Sequence, residues 1–187
     1  MSAESRLDSE SGTASVERAV EAISIIVDNE NRKSEADLVM AAGAATPETI
    51  AFFLAHASGI ICVPILPERA DELALPLMVA QNTEVQRTAL TVSVDASRGT
   101  TAGISASDRA RTIAMLKDLS SQSTDFNRPG HVLPLRRGTG GVLKRTGPAE
   151  ATIDLVHAGG LPRAEVLCEL VFARRNDIER RPGVVQC

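Results

Sequence analysis

The polar run Asp28-Asn-Glu-Asn-Arg-Lys-Ser-Glu-Ala-Asp37 has the most potential for chemistry, because it gathers carboxylates, a guanidinium and an ammonium in one short segment. It directly follows residues 23–27, an apolar run typical of a buried strand. Ligand sites on α/β sheets form beyond the ends of strands, so this loop is a candidate for binding a polar ligand. Taken alone, such a charged run more often forms a solvated turn.

The cysteines and the overall charge exclude several kinds of site and partner. Cys62, Cys168 and Cys187 are an odd number without metal-type spacing, so neither a disulfide framework nor a zinc site is predicted. The chain has 20 Lys and Arg against 24 Asp and Glu, a net charge of −4, and it has four Phe but no Trp or Tyr. We therefore expect reduced cysteines and no nucleic-acid partner.

The sequence gives no sign of a membrane partner. No apolar run reaches the roughly 18 residues that a membrane-spanning helix needs. The first residues are polar and acidic, unlike a secretory signal. A cytoplasmic location is the expectation.

Helices and strands must position the polar residues. Thr46-Pro47-Glu48 combines an N-cap residue, a proline at the first helical position and an early acid, which predicts a helix ending near Ser58. A second helix is predicted over residues 107–116 with Ser107 as its N-cap. A further helix is expected over residues 16–23, and strands over residues 23–27, 60–64, 90–94, 132–135 and 166–171.

The fold class follows from composition and element order. A chain of 187 residues with 43% hydrophobic residues can bury one core. Strands alternate irregularly with helices, which predicts a single α/β (or α+β) domain around a mixed central sheet. We expect a disordered leader at residues 1–15, the domain at residues 16–173 and a charged tail at residues 174–187.

Six segments occur in the order found in one known family. They are residues 53–63, 75–83, 91–95, 103–109, 128–135 and 150–155, of which Arg128-Pro-Gly-His-Val-Leu-Pro-Leu135 is an example. Together they resemble the 3,4-dihydroxy-2-butanone 4-phosphate synthase family of riboflavin biosynthesis. The resemblance implies a homodimer of three-layer α/β subunits with active sites at the subunit interface. It also implies conversion of ribulose 5-phosphate to the butanone phosphate and formate, with magnesium and acid/base steps.

The resemblance assigns candidate roles residue by residue. His131 and Glu169 match the two family residues regarded as essential for turnover, and Asp37 matches an acid beside the substrate. The residues implied in substrate binding are Arg32, Cys62, Arg87, Thr88, Arg145, Thr146 and Gly147. His56 is a weaker match.

Both positions of the family's metal ligands are changed. Lys33 stands where the family has a Glu, and Pro148 stands where it has a His. Neither an ammonium nor a pyrrolidine donates to magnesium, so no metal or other cofactor is expected unless the chain is an ordinary synthase. Ala149 also replaces a phosphate-binding Thr, and Arg87 replaces a Gly. Lys33 could stabilise an enolate, form a Schiff base, or simply point into solvent.

Three functions remain open at this stage. The leading hypothesis is a metal-independent, lyase- or isomerase-type enzyme derived from the synthase, acting on a small polar carbonyl or hydroxy compound in specialised biosynthesis. The second is a catalytically silent binding or regulatory homologue. The third is a genuine synthase. In each case the expected partners are a small-molecule ligand and a second copy of the chain.

Overall fold

A seven-stranded sheet organises the computed structural model, which describes residues 24–27, 36–137, 165–171 and 185–186. The strand order is β4-β5-β3-β6-β2-β1-β7. The strands are β1 Ser24–Val27, β2 Ala36–Ala41, β3 Cys62–Ile65, β4 Val94–Ala96, β5 Phe126–Arg136, β6 Glu165–Glu169 and β7 Val185–Gln186.

The sheet is mixed, as predicted. β3 pairs in parallel with β5, and β1 with β7. The pairs β1–β2, β2–β6, β3–β6 and β4–β5 are antiparallel. Strands distant in sequence therefore become neighbours at the centre of the sheet. β7 lies within the predicted tail, while the domain boundaries themselves stay predictions.

The helix α1 spans Pro47–His56 and begins where the sequence predicts. The Thr49 N–H donates to Thr46 Oγ1 at 3.3 Å, and the Thr46 N–H donates to Thr49 Oγ1 at 2.8 Å. This reciprocal capping satisfies two backbone donors that have no partner within the helix. A short helix α2 spans Pro67–Glu72.

The helix α3 spans Ala106–Lys117, and its predicted cap was wrong by two residues. The Asp108 N–H donates to Ser105 Oγ at 3.0 Å, so Ser105 is the N-cap and Ser107 lies inside the helix. The Asp108 carboxylate in turn accepts from the Thr101 hydroxyl at 2.8 Å. This anchors the loop before the helix and fixes where the helix begins.

The main hydrophobic core lies on the face of the sheet that α1 and α3 cover. Phe53 of α1 and Ile113 of α3 are fully buried there, against alternate residues of the strands such as Val63, Val132 and Val166. Val39 and Leu167 form a second, small cluster, with Cys62 packed against it. Alternation along each strand thus directs two different sets of side chains to the two faces.

The predicted strand at residues 90–94 is shorter and shifted in the structure. Only Val94 of that range belongs to β4, while Leu90 and Thr91 make isolated bridges to Leu135 and Leu77. The segment from Pro76 crosses here, since the Val92 N–H donates to the Pro76 carbonyl at 3.0 Å.

No helix within the described ranges is long and apolar enough to cross a membrane.

Candidate active site

A row of directly paired residues crosses four strands and sets the frame for the site. Leu133 of β5 pairs with Cys62 of β3, Cys62 pairs with Leu167 of β6, and Leu167 pairs with Val39 of β2. Paired residues in adjacent strands present their side chains to the same face of a sheet. Because Val39, Leu167 and Cys62 form the second cluster, this face is the one opposite α1 and α3.

Of the four predicted catalytic residues, Lys33 lies outside the described residues, and the other three lie one step from that row, at the same end of the sheet. His131 is two residues before Leu133, Asp37 is two before Val39, and Glu169 is two after Leu167. β5 and β2 run in one direction and β6 in the other, so each two-residue step leads to the same end. A step of two residues also keeps the face. His131, Glu169 and Asp37 therefore form a second row.

The pairing of the strands sets the distances within this row. Glu169 and Asp37 are direct partners, so their Cβ atoms lie about 5 Å apart. His131 is separated from Glu169 by the strand position of β3, which amounts to about 10 Å between strands. Between them passes the segment that enters β3, where the Ser58 N–H donates to the Glu169 carbonyl at 2.7 Å. These two carboxylates, hereafter the carboxylate pair Asp37/Glu169, thus lie on the same face and at the same end of the sheet as His131, two strand positions away from it.

Asp95 contacts both the backbone and the ring of His131, and the sequence did not predict this contact. Asp95 Oδ1 accepts from the His131 backbone N–H at 2.9 Å, and Asp95 Oδ2 lies 2.8 Å from His131 Nδ1. The side chain of Asp95 is 11% exposed and that of His131 is 37% exposed. The acid is thus covered while the ring remains accessible.

An irregularity between β4 and β5 creates this contact. Val94 pairs with Val132, but the next residue, Asp95, pairs with Asn127. The intervening residues of β5, which end with His131, have no strand partner in β4, and the Asp95 carboxylate bonds to His131 instead. The Gly130 N–H donates to Ser93 Oγ at 3.1 Å, which ties the bulge to the neighbouring strand.

Two glycines permit the close approach. A Cβ at Gly103, whose φ is 83°, would fall on the Asp95 carboxylate. A Cβ at Gly130 would fall on the backbone of Val94. Both positions therefore require glycine, which explains why these two loops can meet at Asp95.

Cys62 lies in the same neighbourhood but is not a nucleophile. Burial, with smaller contributions from Cys168, Glu169 and Asp37, raises the pKa of Cys62 to about 12. The thiol stays protonated at neutral pH, and the thiolate is the reactive form of cysteine. A role in packing and in shaping the pocket fits this environment.

Arg87 and Thr88 do not join His131 within one chain. The Arg136 N–H donates to the carbonyl of Ala89, the residue after Thr88, at 2.9 Å, which places the end of their loop five residues along β5 from His131, about 15 Å away. The Thr88 hydroxyl donates to Glu84 Oε2 at 3.0 Å. Arg87 has a φ of 54°, in the left-handed region that favours glycine.

The remaining predicted residues divide into two groups. His56 lies exposed at the end of α1, with its ring 4.5 Å from the Phe52 ring, and stays a weak candidate. The positions outside the described residues are Arg32, Lys33, Arg145, Thr146, Gly147, Pro148 and Ala149.

Comparison with known proteins identifies the family. A sequence model of the 3,4-dihydroxy-2-butanone 4-phosphate synthase family matches residues 17–187. A 3,4-dihydroxy-2-butanone 4-phosphate synthase of Agrobacterium fabrum is 48% identical over 162 residues, which cover 84% of this chain and 76% of that protein. A monofunctional riboflavin biosynthesis protein of Arabidopsis thaliana, RIBA 2, chloroplastic, is 51% identical over 167 residues. That match covers 86% of this chain but only 35% of the plant protein.

A solved structure agrees with the sequence matches. A crystal structure of 3,4-dihydroxy-2-butanone 4-phosphate synthase in complex with two magnesium ions superimposes with a TM-score of 0.82 at 40% sequence identity. It covers 92% of this chain and 90% of that one. The fold, the matched length and the identity agree, and the chain belongs to the 3,4-dihydroxy-2-butanone 4-phosphate synthase family.

Proposed function

We propose that the chain catalyses the reaction of its family, the conversion of ribulose 5-phosphate to 3,4-dihydroxy-2-butanone 4-phosphate and formate. The observation that carries the proposal is the strand register, which places His131 and the carboxylate pair Asp37/Glu169 at the same end of the sheet. Relatives near 50% identity that are named riboflavin biosynthesis proteins favour this function over the derived enzyme and the silent homologue. The genuine synthase, the third of the hypotheses from sequence, therefore becomes the first.

The row offers the acid/base groups that such a reaction needs. The atoms of ribulose 5-phosphate divide between the two products without net addition of water or an oxidant, so the reaction needs proton transfers, a carbon–carbon rearrangement and cleavage of the carbon–carbon bond that releases formate. His131 would exchange protons through Nε2, the ring nitrogen that Asp95 does not contact. Asp37 and Glu169 would accept and return protons from a substrate held over this face of the sheet.

The residues at the family's metal positions do not fit magnesium. Magnesium requires oxygen-rich octahedral coordination, and Lys33 and Pro148 offer it no donor. Within the described residues, no three His, Cys, Asp or Glu side chains converge in a way that could hold a metal. We therefore assign no step to magnesium.

This misfit supports a second candidate function. An enzyme that works without a metal, on another small hydroxy carbonyl compound, would account for the loss of both ligands together. Lys33 would then supply a fixed positive charge for a developing enolate, although one charge stabilises less than a divalent ion does.

Formate release separates the candidates. Purified protein would be given uniformly ¹³C-labelled ribulose 5-phosphate, and the formate signal followed by NMR with magnesium, with EDTA, and with His131→Asn as the control. Formate released by the wild type and lost in the variant is the expected result. Release that persists in EDTA would identify a metal-independent synthase. No formate in any condition would overturn the proposal and favour the second candidate or a silent homologue.

A homodimer is part of the proposal. Leu77, Met78, Val79 and Val85 are large apolar side chains, each at least 46% exposed, in and beside the loop that carries Arg87. Covering them with a second copy would bury apolar surface and could bring Arg87 and Thr88 to a partner's site. Light scattering at micromolar concentration should give twice the monomer mass of 19.8 kDa. A monomer would contradict this part, and the cellular compartment stays a prediction.

A further inference from the structure

We infer that Asp95 is a positioning residue that keeps the proton of the neutral His131 ring on Nδ1 and directs Nε2 toward the substrate. The contact joins residues 36 positions apart in sequence, and neither partner could be assigned to the other from spacing. The catalytic part of this inference rests on the proposed function. The tautomer itself does not.

Hydrogen-bond chemistry fixes the tautomer. An ionised carboxylate only accepts hydrogen bonds, so the nitrogen facing Asp95 Oδ2 at 2.8 Å must carry a hydrogen. In the neutral ring the other nitrogen, Nε2, then has the free lone pair. A lone pair on the accessible side of the ring is what a general base requires.

Asp95 also holds the ring in place. Its second oxygen accepts the His131 backbone N–H at 2.9 Å, so one carboxylate grips both the main chain and the side chain of the same residue. The carboxylate cannot easily move away, because Gly103 packs directly against it. This arrangement limits both the position and the rotation of the imidazole.

The alternative is that Asp95 only stabilises the bulge between β4 and β5. The backbone bond to His131 would serve that purpose alone. Asp95→Asn separates the two roles, because the amide oxygen can still accept the backbone N–H. The amide NH₂ group would then face Nδ1, where it can only donate, and should move the ring proton to Nε2.

The test is the tautomer of His131, read from the ¹⁵N shifts of its ring in histidine-labelled protein in mildly alkaline buffer. Wild-type protein should hold the proton on Nδ1, and Asp95→Asn should hold it on Nε2. Formate release should fall about 10²–10⁴-fold in the variant. Asp71→Asn makes the same change at an exposed ion pair with Arg136, and should alter neither readout.

Two results would overturn the inference. The first is a wild-type His131 with its proton on Nε2, which needs no variant and holds even if Asp95→Asn does not fold. The second is a folded Asp95→Asn protein with an unchanged tautomer. A wild type that releases no formate would instead contradict the proposed function and leave the tautomer result standing.

Discussion

On one face of the sheet, Phe53 and Ile113 are fully buried against apolar strand residues; on the other, the same strands present His131, Asp37 and Glu169. The buried face depends on local alternation and helical spacing, which each segment carries in its own sequence. The catalytic row depends on the register of strands that lie far apart in the chain. Changes to the first face should therefore affect stability, and changes to the second should affect chemistry.

The largest expected effect comes from exchanging one residue on each face. His131→Asn should lower formate release about 10²–10⁴-fold by removing the general base, while it lowers the free energy of unfolding by less than about 2 kcal/mol. Phe53→Ala should lower the free energy of unfolding by about 3–5 kcal/mol through the cavity it leaves. Urea unfolding and formate release, measured on both variants, check the contrast.

Equal losses of stability and of formate release in both variants would contradict this division between the two faces. Folded Phe53→Ala protein, assayed well below its unfolding temperature, should retain formate release within a factor of about three. A large loss of turnover in that folded variant would show that the two faces are coupled.

Glu169→Gln should raise the stability of the protein while it lowers the activity. Removing one of two like charges that face each other across strands should raise the free energy of unfolding by about 0.2–1 kcal/mol. Formate release should fall about 100-fold or more, because the amide cannot exchange a proton. Glu68→Gln, at the exposed first turn of α2, is the matched control for turnover. A Glu169→Gln protein with full activity would remove Glu169 from the row's chemistry.

The sequence predicted one of these faces better than the other. Thr46-Pro47-Glu48 located α1 because its capping signal is local. The sequence predicts Ser107 as the cap of α3, whereas Ser105 is the cap in the structure, because two serines near one helix start are distinguished only by the hydrogen bond from the Asp108 N–H. The family resemblance named His131, Glu169 and Asp37, but nothing in the chain indicated that they align in one row.

The contact between Asp95 and His131 could not be predicted from the sequence. It belongs to a segment that matches the family, yet its contact with His131 depends on a bulge between β4 and β5. A bulge inserts extra residues into one strand and shifts its pairing with the next, and the periodicity of the sequence does not predict where this happens. Register between distant strands and bulges therefore had to come from the structure.

Cys62 should make the free energy of unfolding depend on pH. Its pKa is raised from 9.0 to about 12, first by burial. Between about pH 9 and pH 12 the thiol ionises in the unfolded chain but not in the folded one, so the free energy of unfolding falls as pH rises through this range. Cys62→Ala should remove that contribution and show a weaker dependence. Urea unfolding at mildly and strongly alkaline pH measures this dependence. If the free energy of unfolding changed equally with pH in both proteins, the raised pKa of Cys62 would be contradicted.

Arg87→Gly should have the smallest effect. Its φ of 54° is costly for any residue with a side chain, so glycine should raise the free energy of unfolding by about 0.5–1 kcal/mol after its own entropy cost. Ala74→Gly is a matched control, since Ala74 is exposed with a φ of 51° and has no charge. Similar gains would assign the effect to the backbone. A loss of stability in Arg87→Gly alone would show that the guanidinium makes stabilising contacts.

Binding of ribulose 5-phosphate to the catalytic row is tested most directly by NMR of the three histidine rings. Histidine-labelled protein would be titrated with ribulose 5-phosphate while the ring signals of His131 and His56 are followed. The proposed site predicts a saturable shift of the His131 signal, with no shift of His56, which lies exposed at the end of α1. A His131 signal that stays unmoved at millimolar ribulose 5-phosphate would contradict the assignment of this row as the substrate site.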